Sequence, residues 1–143
     1  MELFSQSFLA AATGAGVDPV TAERHLAVLR HCVPPTDEPL LVARCLRSGS
    51  RGFHLLVVTP RRVVVTAESR FLRRLRLHLN ADPRHLSDVL WTPEPALRAV
   101  QLSATAIDGV REHFWLHTVR PQRAGELLGS VFQPVGVPAL AAA

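Results

Sequence analysis

The spacing of apolar residues divides the chain into a helical first part and a strand-like second part. Apolar residues recur at helical intervals from Phe4 to Ala12 and predict a first helix, which a Gly-Ala-Gly segment ends. Asp18 followed by Pro19 is a typical N-cap and first-turn pair. It predicts a second helix that ends before the proline-rich residues 34–39. Two helices are therefore expected before the rest of the fold.

After Pro39 the apolar period becomes that of β-strands, and β-branched residues are frequent. Along the fourth predicted strand, leucines alternate with basic residues, so we expect one apolar and one polar face. The leucines are Leu75, Leu77 and Leu79, and the basic residues are Arg74, Arg76 and His78. The predicted strands span residues 40–46, 53–59, 63–67, 71–80, 86–92, 97–104 and 110–119, and an amphipathic helix follows at 121–132.

Strands two and three are apolar at almost every position, so alternate side chains must point away from a single core. A sheet that is apolar on both faces needs something to cover its outer face. We expect Leu56, Val58 and Val64 to form the covered surface, with Leu26 and Leu29 of the second helix packed against them. The alternative is that another subunit covers the same face.

The composition predicts one globular domain with a core of its own. Hydrophobic residues make up 48% of the 143 residues and charged residues 20%. Cys32 and Cys45 are too few for a disulfide framework or a zinc site. Apolar runs stay far below the roughly 20 residues of a membrane span. The N-terminal segment has no positively charged start, so we expect a cytoplasmic protein.

The order of seven strands and one closing helix is that of the pleckstrin-homology superfold. The segment SGSRGFHLLVVTPRRVVV (48–65), the segment HLSDVLW (85–91) and the closing helix resemble the bacterial pleckstrin-homology-like, or YokE-like, domains. The resemblance covers about residues 38–133. It implies an α+β fold in which a bent seven-stranded antiparallel barrel or sandwich is capped by the C-terminal helix. Outside the resemblance, we expect residues 1–35 to form a helical segment packed on the sheet and residues 134–143 to form a loose tail.

Positive charge is concentrated in the middle of the chain. Ten arginines lie between residues 44 and 84, and only Glu68 and Asp82 oppose them, which leaves a local excess of +8. The turns after strands one and three lie at the same edge of an up-and-down sheet. The resemblance implies a binding role for this edge, because eukaryotic pleckstrin-homology domains bind phosphoinositide headgroups there. The residues that we expect to converge on an anion are Arg47, Arg51, Arg70 and Arg73.

Other chemistry finds little support in the sequence. His113 and His117 share a strand face but lie about 13 Å apart by strand rise, too far to share a metal ion. The adjacent pairs Ser87-Asp88 and Glu112-His113 point to opposite faces of their strands and do not form a catalytic pair. The resemblance implies no active site either. We therefore expect no catalytic residues, no metal and no cofactor.

The same observations favour a protein partner over nucleic acid. A basic face at Arg74, Arg76 and His78 could contact phosphates, but single-strand binding also needs exposed aromatic side chains. The chain has six Phe, two Trp and no Tyr, and most of these fit core positions. We predict a non-enzymatic interaction module that binds a protein or associates with itself. The alternative is a peripheral binder of anionic lipid headgroups or other phosphate ligands through the basic edge.

Overall fold

The computed structural model describes residues 2–50, 52–69, 71–72 and 74–132 of the chain. Its helices are α1 (Leu3–Gly14), α2 (Pro19–Leu29) and α3 (Pro121–Phe132). Its strands are β1 (Leu41–Arg47), β2 (Phe53–Val58), β3 (Val63–Glu68), β4 (Leu75–Ala81), β5 (Ser87–Glu94), β6 (Ala99–Thr105) and β7 (Arg111–His117). Short 3-10 turns at Pro83–His85 and Pro95–Leu97 flank β5. The predicted tail at 134–143 lies outside the described residues.

The seven strands form one antiparallel sheet in the order β4-β3-β2-β1-β7-β6-β5. The sheet is not closed, because β4 and β5 are its two edges and do not pair with each other. The predicted α+β class, with a pleckstrin-homology-like sheet followed by a C-terminal helix, is confirmed. Several strand ends differ from the prediction by a few residues: β4 begins at Leu75 and not at 71, and β5 continues through Pro93, where we expected a break. An edge strand tolerates proline because one side of it needs no ladder hydrogen bonds.

Local side-chain hydrogen bonds explain where two of the elements begin. The Asp18 carboxylate accepts a hydrogen bond from the Thr21 amide at 3.0 Å, so it caps α2 as the sequence predicts. At the bend between β2 and β3, the Thr59 hydroxyl accepts from the amides of Arg61 and Arg62 at 3.2 and 2.9 Å. The two arginines therefore sit in a turn that is held by Thr59 and their own backbone.

The two faces of the sheet contribute to two separate cores. On the outer face, α1 and α2 pack on β1, β2 and β3 around the buried side chains of Val42, Leu55, Val57 and Val64. On the inner face, α3 packs on β5 and β6, and its Ala124 and Leu128 belong to an inner core that also includes residues of β1, β2, β3 and β7. The N-terminal helices thus cover part of the outer face within one chain. Among the described residues, no helix is long and apolar enough to span a bilayer.

The structure corrects the predicted faces of β2. Leu56 and Val58 lie in the inner core, whereas Leu55 and Val57 face the helices. Val64 lies in the outer core, where we expected it. Leu26 and Leu29 are in the same outer core. The prediction was wrong for β2 because the four consecutive positions 55–58 are all apolar, so the sequence reveals alternation but not which alternate set faces which core.

The predicted faces of β4 also change, because the strand contains a β-bulge. Val65 pairs with Leu79 and Thr66 pairs with Leu77, so His78 is an extra residue in the ladder. Leu79 packs on the inner core, whereas Leu77 is 43% exposed. The bulge breaks the regular leucine and basic alternation. It also turns His78 towards the inner face, where its ring lies 6.2 Å from that of Phe114.

Candidate functional site

The predicted anion-binding edge has one described member, Arg47. Its Nε donates to Oε1 of Glu112 at 3.2 Å. Arg51, Arg70 and Arg73 lie outside the described residues, so their convergence stays a prediction. The carboxylate beside Arg47 offsets its positive charge. An anion that binds Arg47 must therefore compete with Glu112.

A polar cluster surrounds Glu112 on the inner face, at the end of the sheet where the β1–β2, β3–β4 and β6–β7 turns lie. We call it the loop-end cluster, and it consists of Arg47, His54, His78 and Glu112. Oε1 of Glu112 accepts from Nε2 of His78 at 3.0 Å as well as from Arg47. The rings of His54 and His78 meet edge to face at 6.1 Å. The cluster links β1, β2, β4 and β7 across the sheet.

Hydrogen bonding determines where His54 carries its proton. Nδ1 lies 3.1 Å from the carbonyl oxygen of Gly52, which can only accept, so Nδ1 is the donor. Nε2 is then an acceptor, and it is buried without a hydrogen-bond partner among the described residues. Burial lowers the pKa of His54; the hydrogen bond to Gly52 opposes this in part, and the nearby charges of His78, Arg47 and Arg76 lower the pKa further. A neutral imidazole is therefore stable in this position.

The carboxylate in the cluster remains ionised. Burial raises the pKa of Glu112, but hydrogen bonds and charge from His78 and Arg47 outweigh burial and hold the pKa below its usual range. Across the part of the chain that the structure describes, no group of three His, Cys, Asp or Glu side chains could hold a metal ion. The arrangement supports a structural or anion-attracting role.

A second candidate lies on the outer face, beyond the part that α1 and α2 cover. We call it the outer groove, a depression of about 410 Å³ over β1, β6 and β7. Leu46 of β1 pairs directly with Trp115 of β7, and Leu46 and Leu97 are 68% and 61% exposed. The remaining lining includes Phe53, Arg44 and His117. Such a volume and such an apolar lining are typical of ligand and peptide sites.

A smaller cavity of about 310 Å³ adjoins the groove at the end of α1. Arg44 and His117 line both cavities, and they are direct neighbours across β1 and β7. A methyl group placed on Gly16, where φ is +83°, would lie 3.8 Å from Nη2 of Arg44. The guanidinium therefore packs on the chain reversal between α1 and α2. Nε of Arg44 is buried and has no hydrogen-bond partner among the described residues.

Sequence reasoning did not identify the outer groove, although one signal for it was present. Leu46 and Trp115 occupy positions that alternate with core residues, so they had to face outwards. The first helices are too short to cover both halves of the sheet. The pairing of β1 with β7, which brings Leu46 and Trp115 together, cannot be read from local patterns.

Comparisons with known proteins supply no functional information about the chain. No protein-family model matches the chain, and no curated protein matches it. Among solved structures, the chain resembles the C-terminal domain of an unknown protein from Leishmania infantum, with 13% identity and a TM-score of 0.47. The match covers 76% of this chain and 97% of that domain.

Proposed function

We propose that this chain is a non-enzymatic interaction module that binds a segment of a partner protein in the outer groove. The observation that carries the proposal is the apolar surface at Leu46, Leu97 and Trp115, on the half of the outer face that the helices leave uncovered. Exposed apolar grooves of this kind mark interaction sites in soluble proteins. The resemblance to bacterial pleckstrin-homology-like domains, which stays a prediction, agrees with such a role in the cytoplasm.

A partner protein fits the groove better than a second copy of the chain. A two-fold symmetric contact places the same patch on both subunits. The described lining of the groove includes Arg44 but no Asp or Glu, so a symmetric contact over this patch buries two guanidinium groups without a carboxylate for either. Buried charges that lack a partner destabilise an interface. The groove therefore favours a partner of different sequence.

Selection of short random-sequence peptides with free carboxyl termini on the immobilised domain tests this function. We expect enriched peptides that bind the unaltered domain and lose at least about 2 kcal/mol, or roughly 30-fold in affinity, on a Trp115→Ala domain. Leu46→Glu should weaken the same peptides, because it places a charge in the apolar floor. Fluorescence anisotropy with labelled peptides measures each affinity.

Ile107→Glu is the matched control, since it places the same charge at an apolar side chain that is 84% exposed in the β6–β7 turn. Its affinity for the peptides should equal that of the unaltered domain. Equal binding by the Leu46→Glu and Ile107→Glu domains would contradict the groove as the site. A concentration-dependent dimer in sedimentation that Leu46→Glu abolishes would make self-association the function instead.

A second candidate function is peripheral binding to anionic lipid headgroups at the loop-end cluster. It is favoured by the grouping of Arg47, His54, His78 and exposed Arg76 around a single carboxylate, Glu112. In the sequence, Arg51 belongs to the connection between β1 and β2, and Arg70 and Arg73 to that between β3 and β4, but all three lie outside the described residues. Vesicles attract such basic groups by roughly 1 kcal/mol per arginine near the surface.

Cosedimentation with vesicles that contain or lack phosphatidylserine tests this candidate. We expect binding only to the anionic vesicles, a decline with added salt and a loss in the Arg51→Ala/Arg73→Ala variant. Arg123→Gln is the control for the loss of an exposed positive charge elsewhere, because the Arg123 side chain of α3 is 65% exposed. Competition by inorganic phosphate at low ionic strength separates a phosphate site from a general charge effect. Binding that is independent of phosphatidylserine would exclude the candidate.

A further inference from the structure

Arg44 differs from the partly buried arginines Arg24 and Arg47, because no carboxylate of the described residues lies within ion-pair distance of it. Arg24 donates to Glu68 at 2.8 Å, and Arg47 donates to Glu112 at 3.2 Å. Nε is buried without an acceptor in both Arg24 and Arg44, but among the described residues only Arg24 of these two has a carboxylate partner at its guanidinium. The residues that line the outer groove and its adjoining cavity, so far as the structure describes them, include no Asp or Glu.

This environment leaves the Arg44 cation partly dehydrated and uncompensated. Burial removes water from Nε, and no described residue supplies an oxygen in its place. A guanidinium in this state interacts more strongly with an anion than one in bulk water, because the local dielectric constant is lower. A planar carboxylate matches the fork of the guanidinium hydrogens. An anionic oxygen group that reaches the guanidinium from the groove would neutralise the charge of Arg44.

The surroundings of Arg44 indicate what kind of molecule carries that group. The groove next to it is lined by Leu46, Phe53, Leu97 and Trp115, so an apolar moiety must lie beside the anion. A phosphate or a nucleic-acid backbone brings its charge with further polar groups, which this lining would leave without partners. A peptide segment can place a carboxylate next to a large apolar side chain.

We infer that Arg44 determines the specificity of the outer groove by pairing with a carboxylate of the bound segment, next to an apolar residue of that segment in the groove. The inference rests on the proposed peptide-binding function and defines the chemistry of its partner. The carboxylate can come from an Asp or Glu side chain or from the carboxyl terminus of the peptide. Both sources offer the same two oxygens.

The test uses the peptides that the selection recovers, in a double-mutant cycle with Arg44→Gln. We expect that changing the carboxylate of the peptide to an amide weakens binding to the unaltered domain about tenfold. On the Arg44→Gln domain the same change should alter affinity less than about twofold, because its partner is gone. Asp-to-Asn and Glu-to-Gln peptides test the side-chain source, and an amidated carboxyl terminus tests the other.

Arg44→Lys and Arg123→Gln complete the experiment. Arg44→Lys keeps the charge but loses the fork, so it should retain part of the preference for the carboxylate. Arg123→Gln removes an exposed arginine from α3 and should leave the preference unchanged. Should Arg44→Gln fail to fold by circular dichroism, the peptide changes on the unaltered domain and on Arg44→Lys still decide the question.

The outcomes separate the inference from the function on which it rests. Peptides that bind in the groove but tolerate the amide without loss would overturn the role of Arg44 and leave the interaction module intact. If the change from carboxylate to amide lowered the affinity equally for the unaltered and Arg44→Gln domains, the role of Arg44 would also be overturned. The carboxylate would then pair with another group. A selection that recovers no groove-dependent peptide would remove both proposals.

Discussion

At the scale of single residues, burial of titratable side chains links the N-terminal helices to the sheet. His25 of α2 is fully buried, and its Nδ1 lies 2.7 Å from the Thr66 hydroxyl of β3. Its Nε2 lies 3.7 Å from Oε2 of Glu68, and its ring meets Phe53 edge to face at 5.3 Å. Burial lowers the pKa of His25, and the attraction of Glu68 opposes this only in part.

Acid should therefore destabilise the fold through His25 and His54. Both have a pKa below the ordinary 6.5 in the folded chain, so unfolding takes up protons. The stability that the two neutral histidines contribute is fully present above pH 6.5. It is lost as the pH falls from 6.5 through their lowered pKa values. The free energy of unfolding should fall by at most about 1.4 kcal/mol per pH unit for each histidine.

Urea denaturation between pH 7.5 and about 5 measures this slope. His25→Gln should be less stable at neutral pH but show a shallower slope, because it removes one of the two groups. His85→Gln, at an exposed histidine, is the control and should keep the slope of the unaltered chain. Stability that rises on acidification from pH 6.5 would contradict the prediction.

At the scale of elements, α1 and α2 are stabilised mainly by the face that they bury on the sheet. Isolated helices of 12 and 11 residues are marginal in water, so tertiary packing has to hold them. The packing centres on Phe4, Phe8 and Leu29 against Leu55 and Val57 of β2. The helices are therefore part of the folded core of the domain and not an appendage.

Truncation of the buried leucine of α2 should test that packing. Leu29 is 0% exposed, so Leu29→Ala should reduce the free energy of unfolding by about 2–5 kcal/mol. Val20→Ala is the matched control on the same helix, because Val20 is 65% exposed and should change stability by less than about 0.5 kcal/mol. A cost for Leu29→Ala as small as that of the control, measured by urea denaturation, would show that the helices contribute little.

At the scale of the whole molecule, the sheet separates two candidate surfaces. The outer groove contains Leu46 and Trp115, whereas the loop-end cluster of Arg47 and Glu112 lies on the inner face. Neighbouring residues of one strand point to opposite faces, so Leu46 and Arg47 belong to different surfaces. No hydrogen bond between described residues links the two groups of side chains.

The two surfaces should therefore respond independently to mutation. Leu46→Glu should weaken peptide binding and leave vesicle binding within about twofold of the unaltered chain. Arg76→Gln should reduce vesicle binding and leave peptide affinity unchanged. Anisotropy and cosedimentation on the same protein preparations measure both. A variant that changes both activities, while circular dichroism shows an unchanged fold, would contradict the independence of the two faces.

Much of the fold could be predicted from the sequence, but less of the candidate sites. The cap at Asp18 and the switch from helical to strand period are local signals, and α2 and the strands formed near the expected residues. The partner of Arg47 was not predictable, because Glu112 lies 65 residues away in the sequence. The bulge at His78 was hidden as well, since the leucine and basic alternation continued through it.

The sequence by itself determined which segments are helices and strands, and that the apolar β2–β3 hairpin needs a cover on its second face. These features follow from local periodicity and from the requirement that apolar surface be buried. Only the tertiary structure decided that Leu55 and Val57, and not Leu56 and Val58, face the helices. It also decided that Leu46, Trp115 and Arg44 share one groove. In a strand with consecutive apolar residues, the two-residue repeat does not show which alternate set faces which side of the sheet. The groove depends on the pairing of β1 with β7, which are far apart in the sequence and share no local pattern.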